Sequence, residues 1–184
     1  MFAFRIDNST ELRLVEDRHA TELFELTERN RAYLRQWLPW LDNVSKISDT
    51  KEFIRTSLAQ FANTNGFQAG IWCDGKIAGM IGYHQIDWAN RITWIGYWLT
   101  AELQGRGIVT KSCSALVQYA FTELGLNRIE IRCARENKKS RAIPERLGFL
   151  KEGIIYQAEW LYDHYVDHVQ YGLVASMWKS NTGT

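Results

Sequence analysis

Residues Gln104 to Ser112, QGRGIVTKS, put two glycines around an arginine between two apolar segments. The left flank, ITWIGYWLT, reads as a strand. On the right, Cys113, Leu116, Val117, Ala120, Phe121 and Leu124 recur at helical spacing, and Gly125 supplies a stop. A glycine turn that leaves a strand and opens a helix presents unpaired N–H groups and the positive end of the helix dipole, a setting for phosphate. The loop lacks the Gly-Lys-Ser/Thr ending of a nucleoside-triphosphate loop and the third glycine of a dinucleotide fingerprint. Alone, it reads first as a plain strand-to-helix turn. His164 and His168 form His-x-x-x-His without the adjoining glutamate of a zinc protease. On a strand they lie about 13 Å apart along the chain, too far to share one ion, so no metal is expected. His84 ends a strand and is either structural or a reserve base. The cysteines Cys73, Cys113 and Cys133 lie within apolar segments and read as reduced, buried thiols. None has a neighbouring partner that would make a nucleophilic dyad.

These residues need a scaffold, and the chain spells out most of one. LRLV near Leu12 predicts a short first strand. Asp17 can cap a helix running through Leu23 and Leu26 toward Tyr33, and RAYLRQWLPWLDN continues as a helical segment broken at Pro39. Ser48 and Asp49 can cap another helix, over Phe53, Ile54 and Leu58. FQAGIWC and KIAGMIGYHQI flank Asp74-Gly75, a two-residue hairpin signal. DWANR turns into ITWIGYWLT. RIEIRCA is the next strand, parallel to its predecessor because a helix connects the two. SRAIPERL is a short helix ended by Gly148. FLKEGIIYQAEWL and HYVDHVQYGLVASM close as two strands. The expected architecture is one α/β domain over 1–184, a mixed sheet of about seven strands with flanking helices.

Composition narrows the function. Of 184 residues, 46% are hydrophobic and 23% charged, and the formal net charge of +1 gives no bulk attraction to nucleic acid or membrane. The charge is unevenly spread: Gln104 to Lys151 carry ten Lys/Arg against four Asp/Glu, while Glu152 onward holds four acids and one base. Such a split suits an anionic cofactor and a cationic substrate, and equally suits solvated faces. No apolar run reaches the ~18 residues of a membrane span. The first residues are charged too early for a secretory signal, so a cytoplasmic location is expected. No basic stripe interleaves the eight tryptophans, which argues against nucleic-acid stacking. Most tryptophans are expected in the core, with Trp37 and Trp40 as candidate walls of a substrate groove. An exposed aromatic surface would favour a homo-oligomer.

A second segment, RENKKSRAIPERLGF from Arg135 to Phe149, follows the strand after the loop's helix. Taken together, the two segments resemble the GNAT acetyltransferase superfamily, across nearly the whole chain. The loop pattern falls on Gln104, Gly107 and Val109, with Gly105, Arg106, Ile108 and Thr110 in the same turn, and implies a pyrophosphate contact with acetyl-CoA. Asn137, opening a helix that ends in Gly148-Phe149, implies a pantetheine neighbour; by residue type it is equally a helix N-cap. Leu99 and Thr100 would pair their main chain with the pantetheine arm like an added strand. Arg106, Lys111 and Lys138 are further candidates for CoA phosphates. YLRQWLPW, IDWANR and EGIIYQAEWLYDHYVDHVQYGL are similar to the RimJ/RimL branch, whose members acetylate N-terminal amines of ribosomal proteins. Within that branch, Ser140 matches a donor to the departing sulfur, and Glu159, nineteen residues on, matches the catalytic glutamate. Two departures stand out. Val109 replaces a small residue, and Pro144 replaces the tyrosine acid of many GNAT enzymes. The resemblance implies direct acetyl transfer to a protein N-terminus. The alternatives are a small amine such as a polyamine or aminoglycoside, or a CoA-binding, ribosome-associated module without turnover.

Overall fold

A computed structural model describes residues 3–178. Strands β1 (Ala3–Arg5) and β2 (Thr10–Leu14) open the chain, followed by helices α1 (Ala20–Leu34) and α2 (Ile47–Ala62). Strands β3 (Phe67–Cys73), β4 (Lys76–Asp87) and β5 (Ile92–Leu99) form the expected meander. Helix α3 (Ile108–Thr122), strand β6 (Arg128–Ala134) and helix α4 (Lys138–Arg146) follow. The hairpin of β7 (Leu150–Leu161) and β8 (His164–Val174) completes the fold. The sheet has eight strands in the order β1-β2-β3-β4-β5-β6-β8-β7, one more than expected. The extra strand is β1, whose three residues are all exposed and therefore carry no apolar alternation to read.

Two helix starts differ from expectation. Asp17 opens a short 3-10 turn whose N-cap is Glu16, and the Glu16 N–H donates to His19 Nδ1 at 3.0 Å. Asp49 lies inside α2 and caps it backwards, accepting from the backbone of Ser45 (3.0 Å) and Lys46 (3.1 Å). Asp74 and Gly75 both take positive φ, 48° and 78°, as a two-residue hairpin turn requires.

The sheet is covered on both faces. Cys113, Leu116, Val117 and Ala120 of α3 pack against Ile81, Tyr83, Ile129 and Ile131. Leu23, Leu26 and Ile54 of α1 and α2 meet Trp72, Ile77 and Met80 on the other face. Each of the leucines, isoleucines, valines and methionines among them contributes on the order of 1.5–3 kcal/mol when fully buried. Tyr83 is fully buried, and its hydroxyl donates to the Leu116 carbonyl.

Among the described strands, only β5 and β6 pair in parallel, and their pairing covers just Ile92–Trp94 against Arg128–Glu130. Beyond it, β5 pairs with β4 alone and β6 with β8 alone. At this fork the buried Glu130 accepts from Trp94 Nε1 (2.7 Å) and Arg128 Nε (2.8 Å). The two strands diverge past it, and the sheet opens.

Candidate active site

The divergence leaves a cleft of about 1490 Å³. One side is made of backbone. Gly105 and Gly107 each adopt φ +75°, the left-handed region open to glycine, and Gly107 is the N-cap of α3. A Cβ at either glycine would meet nothing within 4 Å, so these residues serve conformation and leave the approach to the helix clear. The N–H groups of the first turn have no partner within the helix and meet the positive end of its dipole. Gln104, Ile108, Val109 and Thr110 also line this side. The Gln104 amide donates to the Tyr33 hydroxyl, and its oxygen accepts from Lys139 Nζ at 3.0 Å. Asn137 caps α4, its Oδ1 accepting from Ser140 N at 3.1 Å, and faces the same cleft.

Some expected phosphate ligands lie elsewhere. Arg106 and Lys138 are not part of the cleft wall, and Lys111, although it lines the cleft, is held by Asp7 at 2.8 Å. Asp7's carboxyl is pulled well below its usual range, chiefly by the hydrogen bond from Lys111. Lys139, one residue beyond the expected Lys138, lines the cleft instead. Leu99 lines it too, whereas Thr100 is turned away. Thr100 N–H donates to Ala78 O (2.8 Å), its carbonyl accepts from Leu103 N (3.3 Å) and its hydroxyl donates to Asn30 (3.1 Å).

The other side of the cleft is made of side chains aimed by strand irregularities. Strand β4 bulges between Tyr83 and Ile86, where three residues of advance oppose two on β5. His84 projects from that bulge with its ring directly over Gly96; a Cβ there would lie 2.1 Å from His84 Nε2. Solvent reaches the ring from the cleft, but the surrounding protein holds its pKa below the usual 6.5, with the Glu159 charge opposing. Strand β7 is more distorted. Its pairing jumps from Ile155↔His168 to Glu159↔Val166, so β7 spends two extra residues there. Gln157 within the bulge takes φ +48°, and its N–H donates to Asp167 Oδ1 at 2.9 Å. The bulge carries Glu159 to the place diagonal to His168, with Oε2 3.5 Å from His168 Nε2. Glu159 is part-exposed to the cleft and His168 is mostly covered. Trp37, Trp40, Trp94 and Trp98 all line the cleft, a larger aromatic share than the two expected. His164 instead contacts Asp163 at 2.6 Å, so the two histidines of the His-x-x-x-His serve different carboxylates.

At the floor, Ser140 Oγ lies 3.2 Å from Cys133 Sγ and 3.4 Å from the Tyr97 hydroxyl. Burial pushes the Tyr97 phenol well above its ordinary value and raises the Cys133 thiol, so both stay protonated near neutral pH. Tyr97, Cys133, Lys139 and His168 were not among the sequence-derived site residues. Pro144 inside a helix was the one available signal, since it leaves the carbonyl four residues earlier in want of a donor.

Residues 10–150 match the family model described as the acetyltransferase (GNAT) domain. The chain belongs to the GNAT acetyltransferase family. Like other GNAT proteins it is an acyltransferase with acetyl-CoA as the acetyl donor. It is 39% identical over 180 residues to YdaF of Bacillus subtilis (strain 168), covering 97% of this chain and 98% of that protein. It is 30% identical to the ribosomal-protein-serine acetyltransferase of Escherichia coli (strain K12), over 89% of this chain and 91% of that one. Among solved structures, the ribosomal alpha-N-protein acetyltransferase RimL in complex with coenzyme A superposes with a TM-score of 0.91 at 28% identity, covering 94% and 98% of the two chains. The microcin self-immunity acetyltransferase MccE, in complex with acetyl-CoA and AMP, gives 0.88 at 34% identity, covering 92% and 94%. The mixed sheet and open cleft are thus those of a GNAT fold. Among the described residues, no group of three or more His, Cys, Asp or Glu is arranged to hold a metal, and no helix is long and apolar enough to cross a membrane.

Proposed function

We propose that this GNAT enzyme acetylates the N-terminal α-amine of a protein, with a ribosomal protein in the cytoplasm as its acceptor. One observation carries the reading: of the described residues lining the cleft, Glu159 is the one carboxylate. The wall otherwise supplies tryptophans and the bases Lys111, Arg132, Lys139 and Arg146. A single ammonium flanked by uncharged peptide finds one counter-ion and apolar walls there. A polyamine or aminoglycoside brings several cations, of which only one would find a carboxylate in the described wall. The similarity to a ribosomal-protein-serine acetyltransferase and to RimL points the same way.

The chemistry assigns roles to both sides. An α-amine with a pKa of about 7.7–8.0 arrives mostly protonated at pH 7. Glu159 takes that proton, the free amine attacks the thioester carbonyl, the C–N bond forms as the C–S bond breaks, and the nitrogen's remaining extra proton passes to the departing sulfur, which leaves as the CoA thiol. The Ser140 hydroxyl donates toward the departing sulfur. The glycine turn and first turn of α3 hold the pyrophosphate, and Gln104, Ile108, Val109 and Thr110 shape that seat. The unpaired β6-facing edge of β5 up to Leu99 receives the pantetheine arm.

A second reading, an amine carried on a nucleotide, is favoured by the four cleft tryptophans, which suit a flat base, and by the likeness to MccE solved with AMP. The deciding experiment is thiol release from acetyl-CoA with four acceptors: a peptide with a free N-terminal serine, the same peptide N-blocked with an internal lysine, spermidine, and an aminoacyl nucleotide. Mass spectrometry then locates the acetyl group. The proposal expects the free peptide to dominate with the label on its α-amine; faster turnover of spermidine would sink it.

A further inference from the structure

Pro144 lies in the second half of α4 and has no N–H. In an uninterrupted helix the residue at that position would donate to the carbonyl four residues earlier, which is that of Ser140. A hydroxyl from another element supplies the bond instead. Tyr97 of β5 donates to Ser140 O at 3.0 Å. A phenol has one proton to give, so with that proton on the carbonyl its oxygen acts only as an acceptor. The Ser140 hydroxyl stands 3.4 Å from that oxygen and 3.2 Å from Cys133 Sγ. Cys133 is in turn 3.9 Å from the Tyr97 hydroxyl, which closes the three groups into one cluster at the cleft floor.

We propose that Tyr97 is the positioning residue for the Ser140 hydroxyl, anchored there by the carbonyl that Pro144 leaves free. The proposal rests on the reading of Ser140 as donor to the departing sulfur. It also accounts for Pro144 in place of the tyrosine acid. The proline does not remove a phenol from the site; it creates the acceptor that holds one arriving from β5. The helix backbone and the Ser140 hydroxyl are thereby tied through one oxygen, which holds Ser140 Oγ at the cleft floor until its one proton swings from that oxygen to the sulfur as the C–S bond breaks.

Tyr97→Phe removes only that oxygen. Pro144→Ala returns an N–H to the Ser140 carbonyl without touching Tyr97. The assay uses acetyl-CoA and a peptide with a free N-terminal serine, alongside thermal melting. Tyr97→Phe is expected to lower kcat about ten- to a hundredfold, the scale of a displaced reacting group, with the acetyl-CoA KM within about twofold. Its Tm should fall, since a part-buried carbonyl loses its partner. The double variant Tyr97→Phe/Pro144→Ala should regain Tm but not kcat. Added to Ser140→Ala, Tyr97→Phe should cost nothing further in kcat. Wild-type kcat in Tyr97→Phe overturns the proposal, as does recovery of both Tm and kcat in the double variant, which would leave Tyr97 a structural partner only. A Ser140→Ala enzyme with unchanged kcat would remove the reading beneath it, an outcome distinct from either.

Discussion

The two sides of the cleft are built by different means. The acetyl-CoA side is local: the turn with two positive-φ glycines and the first turn of α3 form one short stretch, and the Asn137 cap of α4 another. Its recognition groups are mostly main chain, which any side chain carries. The acceptor side is assembled from distant strands. His84 and Glu159 are aimed by bulges in β4 and β7, and both bulges exist only against their partner strands. The contrast assigns separate failures to the two sides: damage to the turn should appear in acetyl-CoA affinity, and damage to the bulges in turnover.

Glu159→Gln tests the acceptor side with the largest expected effect. It keeps size and hydrogen bonding but removes the base, so kcat near pH 7 should drop about 10²–10⁴-fold with the acetyl-CoA KM almost unchanged. The defect should shrink as pH rises toward 9, because more acceptor arrives deprotonated. Steady-state kinetics across pH 6–9 decide it, and wild-type rates throughout would hand the role to His84. Gly107→Val should show the opposite signature. A β-branched side chain at φ +75° is strained by roughly 1–2 kcal/mol and blocks the approach to the helix N-terminus. Calorimetry on the folded variant should find acetyl-CoA at least about tenfold weaker, or about 1.4 kcal/mol. Arg106→Ala, outside the cleft wall, should change it little. An effect on kcat alone would blur the division between the two sides.

Asp167→Ala sharpens the comparison on a smaller scale. It deletes the acceptor that pins Gln157 N–H in the β7 bulge. Turnover is expected to fall by about tenfold or less, within the range for a misplaced catalytic group, with acetyl-CoA binding intact. The smallest effect concerns His84. Burial lowers its folded pKa below the unfolded value, so between those two values the unfolded chain binds more protons. Its contribution therefore makes stability fall as pH drops from about 6.5, and leaves stability flat above that. Melting curves of His84→Gln from pH 5 to 8 should lose that part of the acid slope. An unchanged slope would mean that the ring is not shielded as described.

Legibility followed the same division. Strands β3 and β6 were readable to the residue from FQAGIWC and RIEIRCA, and the Asp74-Gly75 turn from its dipeptide. The loop and both helix starts at Gly107 and Asn137 were visible because capping is a nearest-neighbour matter. Ser140 and Glu159 were nameable only through family resemblance, and the structure brings both to one cleft. Lys111 illustrates the limit: as a sequence letter it was either a candidate for CoA phosphates or a solvated side chain, and its pairing with Asp7, 104 residues away along the chain, was in neither reading.

The sequence by itself determined the order of elements, the parallel crossover between β5 and β6, the glycine turn and the GNAT kinship, because each depends on short-range pattern. Only the tertiary structure decided where chemistry is aimed. The fork beyond Trp94 and Glu130 opens the cleft, two extra residues in β7 turn Glu159 toward His168, and the carbonyl left free by Pro144 holds Tyr97 beside Ser140. Each of these is a relation between strands or helices far apart in the chain. Their energies lie in pairing and hydrogen bonding across that distance, and no local window of residues records them.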